Sequence, residues 1–267
     1  MNMKLCRFTH PLFECPRYGY LTGSEIVPLT DEDFFDAQRE PRLKERSLPL
    51  AEARLLPPCV PSKIVCVGRN YQDHAAELGN TVPAEPLLFL KPPSALVAHE
   101  ESIDLPPFSD RVEHEGELAI VIGRRRARRL SETDDPLSYV LGYTCLNDVT
   151  ARDLQRRDVQ FTRAKSFDTF CPCGPFIATG LDPADLQVQT RVNNALRQNS
   201  RTSAMAFSVP FLIRYISHMM TLEPGDLIAT GTPAGVGPLR DGDIVEVEVE
   251  SVGILRNQVK GQQEGEK

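Results

Sequence analysis

The sequence has no long apolar run. Its longest, such as Leu118-Ala119-Ile120-Val121-Ile122, are strand-length, far short of the roughly 20 apolar residues a bilayer-spanning helix needs. The first residues, Met1 to Phe8, are interrupted by Lys4 and Arg7 and contain no signal-peptide stretch. A cytoplasmic protein with no membrane partner is therefore expected. Positive charge is also short. Lys and Arg total 30 against 37 Asp and Glu, a formal net charge of −7, which argues against bulk attraction to nucleic acid. An anionic substrate would need positive charge concentrated locally, by a metal ion or by particular Lys and Arg side chains. The seven cysteines are odd in number and irregularly spaced. Cys171-Pro-Cys173 is too tight for a zinc knuckle, so reduced, mostly buried thiols are expected. No repeat is present. The glycine-rich Gly231-Thr232-Pro233-Ala234-Gly235-Val236-Gly237 fits neither a phosphate-binding loop nor a dinucleotide fingerprint and reads as a structural turn. The basic run Arg124 to Arg129 reads as a solvated turn, the alternative being a patch for anionic partners.

What the sequence does contain is strand pattern. Met3–Phe8, Tyr18–Leu21 and Glu25–Leu29 alternate as short strands, followed by a polar stretch, Thr30 to Arg46. The proline-studded linker Leu56–Pro61 suits an extended crossing. It suggests a small N-terminal β unit over residues 1–60 and a main domain over 61–267. Further strands are expected at 64–67, 87–90, 117–122, 140–146, 176–179, 186–192, 226–230 and 244–249. Helices are fewer. One is expected over Thr150–Asp158, capped by Asp148 or Thr150. Another is expected over Pro210–Met220, capped by Ser208, with Phe211, Leu212, Tyr215, Ile216, Met219 and Met220 on one face. The fold class is α+β, rich in β, rather than alternating βαβ units.

Three segments carry candidate chemistry. In Val112-Glu113-His114-Glu115-Gly116-Glu117, acids two apart on a strand share a face and repel unless a cation lies between them. Asp148, ending another apolar strand, can add a third carboxylate. Three such oxygens plus water suit Mg2+ or Mn2+, and Ca2+ less specifically. Glu113 has the same spacing, so pattern alone does not choose the pair, and all of these acids could be solvated strand ends. In Gly68 to Gly79, a helix from Asp73 to Leu78 would place His74 and Glu77 at i,i+3. A carboxylate there can orient an imidazole that takes a proton from water, and the flanking glycines would let the segment move as a lid. The third is Lys165 in Ala164-Lys165-Ser166-Phe167-Asp168, a residue type that is usually solvated.

Together these segments resemble the fumarylacetoacetate hydrolase family. The stretches that match are Cys66-Val67-Gly68-Arg69-Asn70-Tyr71 with His74 and Glu77, Pro86 to Val97, and Glu115-Gly116-Glu117-Leu118-Ala119. They continue with Asn147 to Gln155, Ala164 to Pro175, Leu222 to Gly237 and Val252 to Asn257, all in order over roughly residues 60–260. The resemblance implies a β-rich roll of mixed sheets, usually a homodimer. It implies Glu115, Glu117 and Asp148 as ligands of Mg2+ or Mn2+, and His74 with Glu77 as a catalytic dyad on a closing lid. Lys165 would stand beside the metal and Gln155 near the reacting carbonyl, with Arg69, Tyr71, Gly231, Thr232 and Pro233 lining the substrate site. His114 would point away from the metal. One departure is the turn Asn193-Asn194-Ala195, which lacks a glycine usual in the family; Asn tolerates positive φ better than most residues. The activity implied is metal-dependent C–C hydrolysis of a small 2,4-diketo acid of the acylpyruvate type. Oxaloacetate decarboxylation and 2-hydroxyhepta-2,4-diene-1,7-dioate isomerisation are the alternatives, and a non-catalytic dicarboxylate binder or a scaffold using the Arg run are weaker ones.

Overall fold

The computed structural model describes residues 2–35 and 46–261; within the expected polar stretch 30–46, residues 36–45 lie outside the described residues. The molecule is mostly β, with short helices. A 12-stranded sheet runs from N-terminal hairpins through Lys4–Thr9 to Cys171–Ala178, Val140–Asn147, Gly116–Ile122, Leu227–Ala229, Ile64–Gly68 and Leu87–Lys91. The leading strands are thus hydrogen-bonded into the main sheet, Lys4 opposite Ala178 and Leu5 opposite Ile177. A five-stranded sheet holds Ala195–Arg201, Gln187–Val192, Ile244–Val249, Gly253–Lys260 and Ser102–Asp104, and a three-stranded one holds Thr150–Ala151, Val112–His114 and Gly237–Pro238. No helix among the described residues is long and apolar enough to cross a membrane.

The apolar run at 118–122 is buried on both faces of its strand. Leu118, Ile120 and Ile122 pack with Val188, Val247 and Ile213, while Ala119 and Val121 pack on the other side with Cys66 and Cys171. Full burial of each large aliphatic side chain contributes about 1.5–3 kcal/mol, and the strand is fixed accordingly. By the same alternation, Glu117 shares the face of Ala119.

Several local expectations shift. Thr150 and Ala151 are taken into a strand against Val112 and Glu113, so the helix begins at Arg152 and ends at Arg157. Neither Asp148 nor Thr150 caps it; Ala151 holds the cap position, and the Thr150 hydroxyl donates to the Asp148 carbonyl at 2.8 Å. The second helix spans Val209–Met219, and Ser208 makes no side-chain capping bond. Its buried stripe is Val209, Leu212, Ile213, Ile216 and Ser217. Phe211 and Met219 are exposed, so Met219 is not a core residue. Phe207, Phe211 and Tyr215 instead stack along the helix, with centroids 5.5 and 5.9 Å apart.

The turn without a family glycine is made by Asn193 and Asn194 at φ 52° and 64°. All seven cysteines are free and all but Cys15 are buried; burial pushes the Cys59, Cys145 and Cys171 thiols up to about 12. Of the remaining histidines, His10 lies 3.7 Å from Glu52, His99 3.6 Å from Glu100, and His218 bonds the Leu130 carbonyl at 3.0 Å. In the basic run, Arg125 stacks over Tyr139 and Arg126 pairs with Glu223.

Candidate active site

Glu115 sits at the break between Val112–His114 and Gly116–Ile122, where the chain passes from one sheet to another. Gly116 permits this junction: a Cβ there would come 2.0 Å from the Thr190 hydroxyl. Asp148 lies directly across, its N–H donating to the Glu115 carbonyl at 2.8 Å, while the Glu115 N–H donates to Asn147 Oδ1 at 2.9 Å. The outcome is that Glu115, Glu117 and Asp148, all buried, each offer an oxygen within 4.8 Å of the others. Glu113 turns away, accepting from Arg111 Nε at 2.5 Å and Arg152 Nε at 2.7 Å. The choice that spacing left open falls to Glu115 and Glu117 because the sheet changes between Glu113 and Glu117.

Buried cations surround two of these acids. Lys165 Nζ donates to Glu115 Oε2 at 2.7 Å and to Asp148 Oδ2 at 2.6 Å. Lys91 Nζ donates to Asp148 Oδ1 at 2.7 Å, and Arg152 pairs with Glu115. Burial pushes the Glu115 carboxyl up, but Lys165 and Arg152 hold it well below the usual range. Burial likewise lowers the Lys165 ammonium, and Asp148 and Glu115 more than restore it. Glu117 differs. Among the described residues it receives only the Gly231 N–H, at 2.7 Å. Burial, then Asp148 and Glu115, raise its pKa well above that of an ordinary carboxyl. A divalent cation among the three would remove that penalty, and an all-oxygen donor set suits a hard one.

Helix Gln72–Glu77 brings His74 over the same space. His74 is buried, its Nδ1 3.5 Å from Glu77 Oε2. The Glu77 carboxylate accepts the Gly235 N–H at 3.1 Å to each oxygen. Burial lowers the His74 pKa against the pull of Glu115, and Arg152 and Lys165 oppose a further positive charge, which favours the neutral form that a base requires.

A cavity of about 570 Å³ joins His74, Lys165, Gln155 and Thr232 to the three carboxylates, within the range of small-molecule sites. Gln155 accepts from Arg152 Nη1 at 2.5 Å. Arg69 and Arg156 also line it, and neither makes an ion pair or hydrogen bond among the described residues. Tyr71, Glu77, Gly231 and Pro233 are not among its lining residues. His114 faces Gln198, its Nδ1 3.2 Å from Oε1. Sequence reasoning gave no part to Lys91 or Arg152, both 1% exposed. Both lie inside stretches that match the family, Pro86 to Val97 and Asn147 to Gln155, but nothing in the sequence marks either as buried.

Comparison with known proteins adds the following. The family described as fumarylacetoacetate (FAA) hydrolase C-terminal matches residues 63–260, and that described as Rv2993c-like, N-terminal matches residues 3–58. The chain is 44% identical over 225 residues to the oxaloacetate tautomerase YisK of Bacillus subtilis, covering 79% of this chain and 74% of that one. It superposes on a 2-hydroxyhepta-2,4-diene-1,7-dioate isomerase from Mycobacterium marinum with a TM-score of 0.87 at 44% identity, covering 99% of this chain and 100% of that one. It also superposes on a maleylpyruvate hydrolase from Sphingobium sp. SYK-6, in complex with manganese (II) ion and pyruvate. There the TM-score is 0.79 at 35% identity, with 98% and 100% coverage.

Proposed function

Since the chain belongs to the fumarylacetoacetate hydrolase family, we propose that it interconverts the keto and enol forms of a small 2-oxo dicarboxylate by moving a proton at the carbon beside the 2-oxo group. The observation that carries this reading is one cavity presenting three convergent carboxylates, a buried ammonium and a buried imidazole. Glu115, Glu117 and Asp148 would hold Mg2+ or Mn2+, which when bound supplies Lewis-acid polarisation of the substrate's 2-oxo and carboxylate oxygens. Lys165 adds fixed positive charge where negative charge develops on the 2-oxo oxygen. With its proton on Nδ1, which faces Glu77 at 3.5 Å, His74 would keep the lone pair on Nε2 to take the proton from carbon. Its return to carbon, or delivery to oxygen, completes the exchange. Arg69 and Arg156 offer unpaired guanidinium groups to a distal carboxylate, and Gln155, held by Arg152, presents its amide to the reacting end. The tautomerase and isomerase relatives favour proton transfer without bond cleavage.

A second reading is hydrolysis of the C–C bond in an acylpyruvate, where His74 takes its proton from water instead. The likeness to a maleylpyruvate hydrolase favours it. Both readings share the same floor of carboxylates; decarboxylation of oxaloacetate would need neither water nor a second proton acceptor. The test is a substrate panel run on chelator-stripped protein with and without Mg2+ or Mn2+. Oxaloacetate is followed by enol absorbance and CO2 release, the hydroxy-dienoate by absorbance, and acylpyruvates by pyruvate release. Metal-dependent decay of enol without cleavage is the expected result. Pyruvate release would select hydrolysis, and no metal-dependent turnover of any substrate would discard the enzyme reading.

A further inference from the structure

The turn 231–235 touches both halves of the proposed machinery. At one end, the Gly231 N–H donates to Glu117 Oε2 at 2.7 Å. At the other, the Gly235 N–H holds Glu77, the carboxylate behind His74, at 3.1 Å to both oxygens. Between them the turn is gripped by one side chain from the five-stranded sheet. Gln198 is wholly buried on strand Ala195–Arg201. Its Nε2 donates to Thr232 Oγ1 and to the Pro233 carbonyl, each at 2.7 Å. Its Oε1 accepts the N–H of Gly116, the residue between Glu115 and Glu117, at 2.9 Å, and lies 3.2 Å from His114 Nδ1. Thr232 closes the ring by donating to the Gly116 carbonyl at 2.9 Å. The turn also lies hard against the backbone beside this glutamine: a Cβ on Gly235, whose φ is +101°, would come 2.0 Å from the Arg197 carbonyl oxygen.

Both amide hydrogens and both acceptor directions of Gln198 are therefore used. The partners fix the orientation. The Pro233 carbonyl requires a donor and the Gly116 N–H requires an acceptor, so neither an acid nor an apolar side chain of the same size can serve both. A fully satisfied buried network of this kind specifies one geometry, and a partly satisfied one is costly.

We propose that Gln198 is a positioning residue that sets the Glu115–Glu117 pair and the Glu77 carboxylate relative to each other through the turn 231–235. It touches neither substrate nor metal. The inference rests on the metal and dyad reading given above. It assigns to the five-stranded sheet a part in the active site that none of that sheet's residues plays by direct contact with the three carboxylates.

The test uses the full chain and Mn2+ alone as the probe, with free ion counted by its electron paramagnetic resonance signal. Gln198→Met is expected to weaken Mn2+ binding about 10- to 100-fold, the usual cost of losing an outer partner of a metal ligand. At saturating Mn2+, its kcat on oxaloacetate should stay below wild type, because Glu77 is displaced as well. Gln198→Glu should do the same, since it cannot donate to Pro233. Asn257→Leu is the control. Asn257 is an equally buried amide in the same sheet, donating to the Ala98 and Glu101 carbonyls at 2.8 and 2.9 Å. It should lower the Tm while leaving Mn2+ affinity unaltered, which a merely structural role for Gln198 would imitate. Unaltered Mn2+ affinity in Gln198→Met overturns the inference, as does kcat fully restored by saturating Mn2+. If Gln198→Met fails to fold, Thr232→Val removes the adjoining hydroxyl and is held to the Mn2+ readout alone, because Thr232 also lines the cavity; unaltered Mn2+ affinity there overturns the inference. A wild-type chain that binds no Mn2+ fells the metal reading itself. A wild type that binds it, with Asp148→Asn that does not, leaves any failure to this inference alone.

Discussion

The floor of the cavity and its rim are built differently. On the floor, Glu115, Glu117 and Asp148 stand at strand ends, and every acid oxygen of Glu115 and Asp148 has a cationic partner. The rim is short helices and the stretch between them. Val159 there is 100% exposed while still lining the cavity, and Arg156 is exposed beside it. Side chains set on strands are held more closely than those on a loop such as 158–161 between the helices. Under the proposed function, the floor would fix what chemistry is possible and the rim would decide which keto acid is admitted.

The sharpest way to break this contrast is at the floor. Asp148→Asn removes a proposed ligand and leaves the buried Lys91 and Lys165 short of a counter-charge; metal-dependent turnover should be lost altogether. Retained turnover in a steady-state assay would show that the acids are structural. Next comes His74→Ala, on the helix that covers the floor. Loss of a general base costs about 10²- to 10⁴-fold in rate, so kcat should fall by that much while Mn2+ affinity holds. A fall in both would erase the distinction between floor and cover. Lys91→Met tests whether floor cations are structural as well. Breaking a buried ion pair costs about 3–5 kcal/mol, to be read from urea unfolding; a change below 1 kcal/mol on the same measurement, as for an exposed pair, would mean that Asp148 does not depend on Lys91. The smallest effect belongs to the rim. Arg156→Gln should raise KM for a dicarboxylate by no more than about fivefold, as an exposed charge pair allows, with kcat and the KM for a monocarboxylate unchanged. A large drop in kcat would move Arg156 into the chemistry.

Much of the floor was legible in the sequence, and for a physical reason. Glu115 and Glu117 precede an apolar run of strand length, so their positions follow from those of Leu118 and Ile120. Of the cations, Lys165 was singled out but Lys91 and Arg152 were not legible. A lone Lys91, or an Arg152 among other charged residues, reads as solvated, and only the tertiary fold reveals that each is sealed beside an acid. Gln198 was hidden for the same reason: its partners lie 82 and 34 residues away. Local pattern also failed where tertiary pairing overrode it. Thr150 looked like a helix cap until Glu113 claimed it for a strand. Met219 matched the helical period, yet the helix is rotated so that Val209 and Ile213 join Leu212 and Ile216 on the inward face in its place.

The pairing of Lys4–Thr9 with Cys171–Ala178 has a consequence for how the chain is made. At roughly 5–20 residues per second, the first strand leaves the ribosome on the order of ten seconds before its partner exists. During that interval Leu5 and Phe8, which end wholly buried, have only their own hairpin for shelter. The edge that later receives Cys171–Ala178 is open to any passing strand, so the nascent amino-terminal segment is where a chaperone would be needed first.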